Sequence, residues 1–120
     1  MDLIAFVPSV DLGRAVDFYG SALGLPHVET TPFAAVFRAG AVMLRVTKVE
    51  ALTPQPFTIL GWSVPDIRAT IADFAPRGVA FTRYDGMPQD SLGVWTTPGG
   101  DQIAWFRDPD GNTLSLTQFT

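Results

Sequence analysis

The chain contains no cysteine, which removes disulfide frameworks, thiolate metal sites and cysteine nucleophiles together. Histidine occurs once, at His27, so a site with two histidine ligands cannot be built within one chain. Basic residues are the minority: eight Lys and Arg against twelve Asp and Glu give a net charge of -4. Such a surface repels phosphate backbones and argues against a nucleic-acid partner. No apolar run approaches the roughly 20 residues that cross a bilayer, and the N-terminus lacks the basic start of a secretory signal. The expectation is a cytoplasmic protein with no membrane partner. Paired carboxylates are missing as well. Asp11 and Asp66 read as helix caps, Asp108 and Asp110 as turn residues, and Asp85, Asp90 and Asp101 as solvated loop acids. Gly99-Gly100 is not a phosphate loop, because neither a Lys nor a helix start follows it.

What the chain does have is a duplication. Shifted by 55 positions, Asp11 falls on Asp66, Leu12 on Ile67, Val16 on Ile71 and Tyr19 on Phe74. Two units are too few for a solenoid, so the repeat reads as one small module used twice. An apolar fraction of 47% over 120 residues supports one domain with a real core. In each copy an Asp caps a helix whose sheet-facing stripe recurs at i, i+3, i+4 and i+7: Leu12, Ala15, Val16, Tyr19, then Ile67, Thr70, Ile71, Phe74. Gly24 and Gly78 supply the left-handed stops. Extended segments are expected at His27–Thr31, Phe33–Ala39 and Val42–Lys48, then at Ala80–Tyr84, Gln102–Arg107 and Thr113–Phe119. Residues 1–50 and 57–120 are then the two modules, with 51–56 as linker and 85–100 as a long loop carrying Trp95.

This order, with the Asp11 to Tyr19 helix and the closing Phe106-Arg107-Asp108-Pro109-Asp110-Gly111-Asn112 turn, resembles the vicinal oxygen chelate superfamily. That group includes lactoylglutathione lyase, extradiol dioxygenases, fosfomycin-modifying enzymes and the bleomycin resistance proteins. The resemblance implies an α+β fold of two βαβββ modules whose curled mixed sheets enclose one crevice. It also implies a homodimer, in some members with modules exchanged between chains.

Metal-dependent members carry four ligands, one on the first and one on the last strand of each module, usually His or Gln and Glu. Counting back seven residues from each capping Asp lands on Ile4 and Ile59, and the last-strand positions fall on Arg45 and Ser115. Isoleucine has no lone pair and arginine stays cationic, so this set does not suit a divalent ion. Slipping the register by one residue restores no His or Glu. The expectation is no metal and no cofactor.

By strand alternation Phe6, Met43 and Thr113 share the concave side with Ile4, Arg45, Ile59 and Ser115, whereas Leu60, Trp62 and Val64 face the helices. Trp105 stands where ring-cleaving relatives carry a catalytic Tyr; an indole cannot be that acid, but it can stack on a ligand or pack in the core. Arg45 either pairs with an internal carboxylate such as Glu29 or meets an anionic group of a ligand. His27 is either a solvated strand-edge residue or a base oriented by Glu29 along the same strand face. No catalytic residue is assigned. The leading function is a metal-free small-molecule-binding protein of the bleomycin-resistance type, holding a partly aromatic ligand in the crevice between modules. The alternative is a glyoxalase-like lyase or isomerase, or another enzyme of the superfamily with a non-standard site.

Overall fold

The structure, a computed structural model, describes residues 1–120. The chain forms two compact units, Met1–Pro54 and Gln55–Thr120. Each carries one four-stranded mixed sheet, an α+β arrangement repeated.

In the first unit the elements are β1 (Ile4–Ser9), α1 (Leu12–Ala15, continuing in wider turns over Val16–Ala22), β2 (His27–Thr30), β3 (Ala34–Ala39) and β4 (Val42–Lys48). The sheet order is β1-β4-β3-β2, with β1 parallel to β4 and the rest antiparallel. Asp11 caps α1 by accepting the Arg14 N–H at 3.1 Å. Beyond Ala15 the helix loosens: the Leu23 N–H reaches back five residues to the Phe18 carbonyl at 2.9 Å. A regular helix was the expectation. The helix still buries Ala15, and its widened turns bury Tyr19, whose ring centroid lies 5.9 Å from that of Phe37.

In the second unit the elements are β5 (Thr58–Ser63), α2 (Ile67–Phe74, ending in a tighter turn over Ala75–Arg77), β6 (Trp95–Thr96), β7 (Gln102–Arg107) and β8 (Thr113–Gln118). The order β5-β8-β7-β6 repeats the first sheet, again with the first and last strands parallel. Asp66 caps α2 through the Ala69 N–H at 3.0 Å, and Gly78 closes it at φ 89°. Phe106 is the hub of this core, within 6.3 Å of Trp62, 6.2 Å of Phe74 and 5.4 Å of Phe81. The β7–β8 turn is held by buried Asp108, whose carboxylate accepts the Asp110 and Asn112 N–H groups at 3.0 Å and the Asn112 side-chain amide at 2.9 Å.

Two sequence expectations change here. The segment Ala80–Tyr84 is not a strand; only Phe81 bridges to Phe106, and the sheet's fourth strand is the short Trp95–Thr96. The backbone turns away after Thr82 because the Gln89 side chain intercepts it, accepting the Tyr84 N–H at 2.7 Å and donating to the Thr82 carbonyl at 3.0 Å. The 85–100 loop is thus folded on its own side chains. No helix is long and apolar enough to cross a membrane.

Candidate functional site

Each sheet has one face against its helix and one open face, and strand alternation divides the residues between them. In the second unit the open-face row runs Thr58 and Gly61 on β5, Thr113 and Ser115 on β8, and Trp105 and Ile103 on β7, with Trp95 opposite Ile103 on β6. Trp105 is the centre of this row. Tyr84 meets it edge-on, with centroids 5.5 Å apart at 89°, and Trp95 stacks against it at 6.2 Å and 28°. Its indole Nε1–H donates to Thr58 Oγ1 at 3.1 Å, which fixes the ring plane.

Beside this ring lies a cavity of about 220 Å³ lined by Pro56, Phe57, Thr58, Tyr84, Met87, Trp105 and Thr113. Tyr84 and Met87 also form one wall of a groove of about 370 Å³ with Asp85, Gly86, Pro88 and Trp95. The 84–88 segment therefore stands between two recesses. It is positioned by the Gln89 bonds described above and by a third, Gln89 Nε2–H to the Gly93 carbonyl at 2.9 Å. Next along the chain, Asp90 accepts the Leu92 and Val94 N–H groups, both at 2.9 Å, and pairs with Arg68. Desolvation alone would raise the Asp90 carboxyl. The Val94 and Leu92 amides and the Arg68 guanidinium outweigh it and hold the group below the usual carboxylate range. Asp90 is thus a structural anchor as well as the solvated loop acid expected, its side chain being 37% exposed.

Of the residues expected to bind ligand, Trp105 and Thr113 line the cavity, and Ser115 lies on the same open face as the cross-strand neighbour of Trp105. Ser115 is 8% exposed, and its hydroxyl fills the space above Gly61, where a Cβ would stand 2.5 Å from Ser115 Oγ. Ile59 falls in an irregularity: Thr58 is registered with Thr113 and Leu60 with Leu114, leaving Ile59 without a partner. Thr58 therefore holds the open-face position that simple counting gives to Ile59. Tyr84, Met87 and Thr58 were not anticipated. The run of aromatics Phe81, Tyr84, Trp95 and Trp105 was the available signal, but sequence does not show which of them share a face.

The first unit's open face brings together Ile4, Phe6, Met43 and Arg45, with Ile4 registered to Met43 and Phe6 to Arg45. Phe6 is 61% exposed. Arg45 makes no ion pair; the structure's salt bridges are Arg14–Asp11 and Arg68–Asp90. His27 and Glu29 do not share a face. A bulge between them registers His27 with Phe37 and Glu29 with Val36, adjacent residues that point opposite ways. His27 instead bonds Thr30 Oγ1 at 2.8 Å through Nε2.

The residues do not make the donor set of a divalent cation. No three His, Asp or Glu side chains converge anywhere in the chain. Among Ile4, Ile59, Arg45 and Ser115, only Ser115 offers an oxygen, and a neutral hydroxyl is a poor sole ligand. What the open face of the second sheet offers is flat apolar surface and neutral hydroxyl groups.

The model of the Glyoxalase/Bleomycin resistance protein/Dioxygenase superfamily matches residues 3–116. Among solved structures, the chain is similar to a superfamily member from Sphaerobacter thermophilus, with a TM-score of 0.76 at 22% identity, covering 99% of this chain and 97% of that one. A glyoxalase/bleomycin resistance protein from Catenulispora acidiphila gives 0.74 at 22% identity, covering 100% and 99%. A lactoylglutathione lyase from Agrobacterium tumefaciens gives 0.69 at 19%, covering 98% and 92%. At such identities the likeness is one of fold. Comparison with curated proteins finds no match.

Proposed function

This chain belongs to the glyoxalase/bleomycin resistance protein/dioxygenase superfamily, and we propose that within it the chain is a metal-free binding protein for a partly aromatic small molecule. The observation that carries this reading is the Trp105 wall: an indole fixed by Thr58, flanked by Tyr84 and Trp95, beside an uncharged cavity. A planar ring laid on such a wall gains stacking and apolar burial without needing an ion. On the first unit's own open face, Ile4, Phe6 and Met43 offer a separate apolar surface, where the unpaired Arg45 suits a carboxylate. A catalytic reading has less support. The only histidine and its nearest strand carboxylate lie on opposite faces, so no nucleophile–base or acid–base pair is assembled there.

Tryptophan fluorescence titrated with planar aromatic compounds tests the proposal. Quenching with a saturable affinity is expected, and Trp105→Phe, which keeps a ring but loses the larger indole face and its bond to Thr58, should weaken it by about threefold. Unchanged affinity in that variant would remove Trp105 from the site. Elemental analysis of protein prepared without chelator should find no stoichiometric Ni, Zn, Fe or Mn. One ion per chain would move the reading to a metal enzyme.

A further inference from the structure

Within the Trp105 cavity, hydrogen-bond directions are forced by chemistry, and they carry information about what the cavity takes. An indole N–H can only donate, so Thr58 Oγ1 must be the acceptor in its 3.1 Å contact with Trp105 Nε1. The Thr58 hydroxyl proton is left over, and no group of the protein receives it. A backbone carbonyl can only accept, so the Thr113 hydroxyl spends its proton on the Gln55 carbonyl at 3.4 Å. With that proton engaged, Thr113, which is 3% exposed, has only lone pairs left to offer where it lines the cavity. Thr58 and Thr113 are register partners on the parallel strands β5 and β8 and both line the cavity. Their backbones stand about 4.8 Å apart, the usual strand spacing. The cavity thus has one donor and one acceptor on neighbouring strands, in a lining that includes the Trp105 ring.

We infer that this pair reads a neutral edge carrying an acceptor next to a donor, the cis-amide edge of a lactam or a lactam-like heteroaromatic ring. The ring carbonyl accepts from Thr58 Oγ1–H, the adjacent ring N–H donates to Thr113 Oγ1, and the ring plane lies along Trp105. Three observations support a neutral group over an ion. All seven lining residues, Pro56, Phe57, Thr58, Tyr84, Met87, Trp105 and Thr113, are uncharged. A charge seated among them would lose hydration without gaining a counter-charge. The volume of about 220 Å³ also suits one or two fused rings, below the roughly 300–1,000 Å³ of drug-sized pockets. The inference rests on the small-molecule reading above and assigns the chemistry of the part of the ligand seated here.

Calorimetric titration of the native chain with four probes tests it: 2-quinolone, N-methyl-2-quinolone, quinoline-2-carboxylate and naphthalene. 2-Quinolone should bind at least about fivefold more tightly than its N-methyl analogue, which keeps the ring and the carbonyl but lacks the donor. It should also exceed the carboxylate and naphthalene. Thr113→Val, checked for an unchanged melting profile, should bring 2-quinolone down to the level of the N-methyl compound. Equal binding of 2-quinolone, its N-methyl analogue and naphthalene would overturn the edge-reading while leaving the aromatic site intact. Tightest binding of the carboxylate would overturn the neutral-edge assignment. Failure of every probe to bind would overturn both this inference and the small-molecule reading on which it rests.

Discussion

At the scale of single residues, Gly61 and Ser115 make a pair whose coupling is measurable. An added Cβ at Gly61 would approach Ser115 Oγ to 2.5 Å, a distance only removal or rotation of the hydroxyl can relieve. Gly61→Ala should therefore destabilise the chain by about 1–2 kcal/mol, a typical overpacking effect. In a Ser115→Ala background most of that loss should disappear, giving a non-additive double-mutant cycle by denaturant unfolding. Additive effects would contradict the contact. Arg45 is the converse case. As a partly buried cation with no ion pair, it contributes no salt bridge to lose, so Arg45→Met should leave the melting temperature unchanged or slightly raised. Loss of stability would mean that the guanidinium has a structural partner. The sequence made Arg45 visible as a charge among apolar neighbours, but whether it was paired was a matter of geometry. Trp105 was legible in the same partial way: its strand was clear, while the Thr58 bond and the Tyr84 and Trp95 rings that make it a wall were not.

At the scale of elements, the loop from Thr82 to Val94 decides how the cavity is built. Gln89 serves three backbone groups at once, the Tyr84 N–H and the Thr82 and Gly93 carbonyls. Gln89→Ala should cost about 2–3 kcal/mol, as partly buried backbone groups are left unpaired. Faster amide exchange over residues 82–94 would localise the effect, and retained protection there would contradict it. Asp90 adds a pH dependence of known sign. Its folded carboxyl is held below the ordinary range, so the unfolded chain binds the proton more readily. The stabilisation is complete above the ordinary carboxylate pKa and is lost as pH falls through that value to the lowered one. Asp90→Asn should flatten this acid limb in a melting-temperature profile against pH. These elements also mark what sequence could and could not reveal. The helices were legible because Asp11 and Asp66 cap them and their apolar spacing is regular. Strand β6 was not, because two residues inside a Gly- and Pro-rich loop carry no alternation. The bulges at Val28 and Ile59 were hidden too. In Thr58-Ile59-Leu60 each residue suits a strand, so nothing in composition signals the slipped register.

At the scale of the molecule, duplication is the organising fact, and it could be read from the sequence at a spacing of 55 residues. Both sheets repeat one order, and both helices begin at an Asp with nearly the same backbone angles, φ -142° and -143°. The site did not follow from the duplication, because the two open faces have diverged: apolar with one unpaired guanidinium in the first, aromatic with hydroxyls in the second. Dimerisation, which the family resemblance implies, would draw on the exposed Leu3, Phe6 and Phe33 of the first unit and on the terminal strands of the sheets. Sedimentation should find two chains, and Phe6→Glu should shift the balance toward one; a monomeric native chain would contradict this. The most direct test of the central claim, aromatic recognition without an ion, is the affinity for 2-quinolone measured with and without a strong chelator. The account predicts the same dissociation constant in both. Binding that vanished with chelator and returned on adding a divalent cation would contradict it.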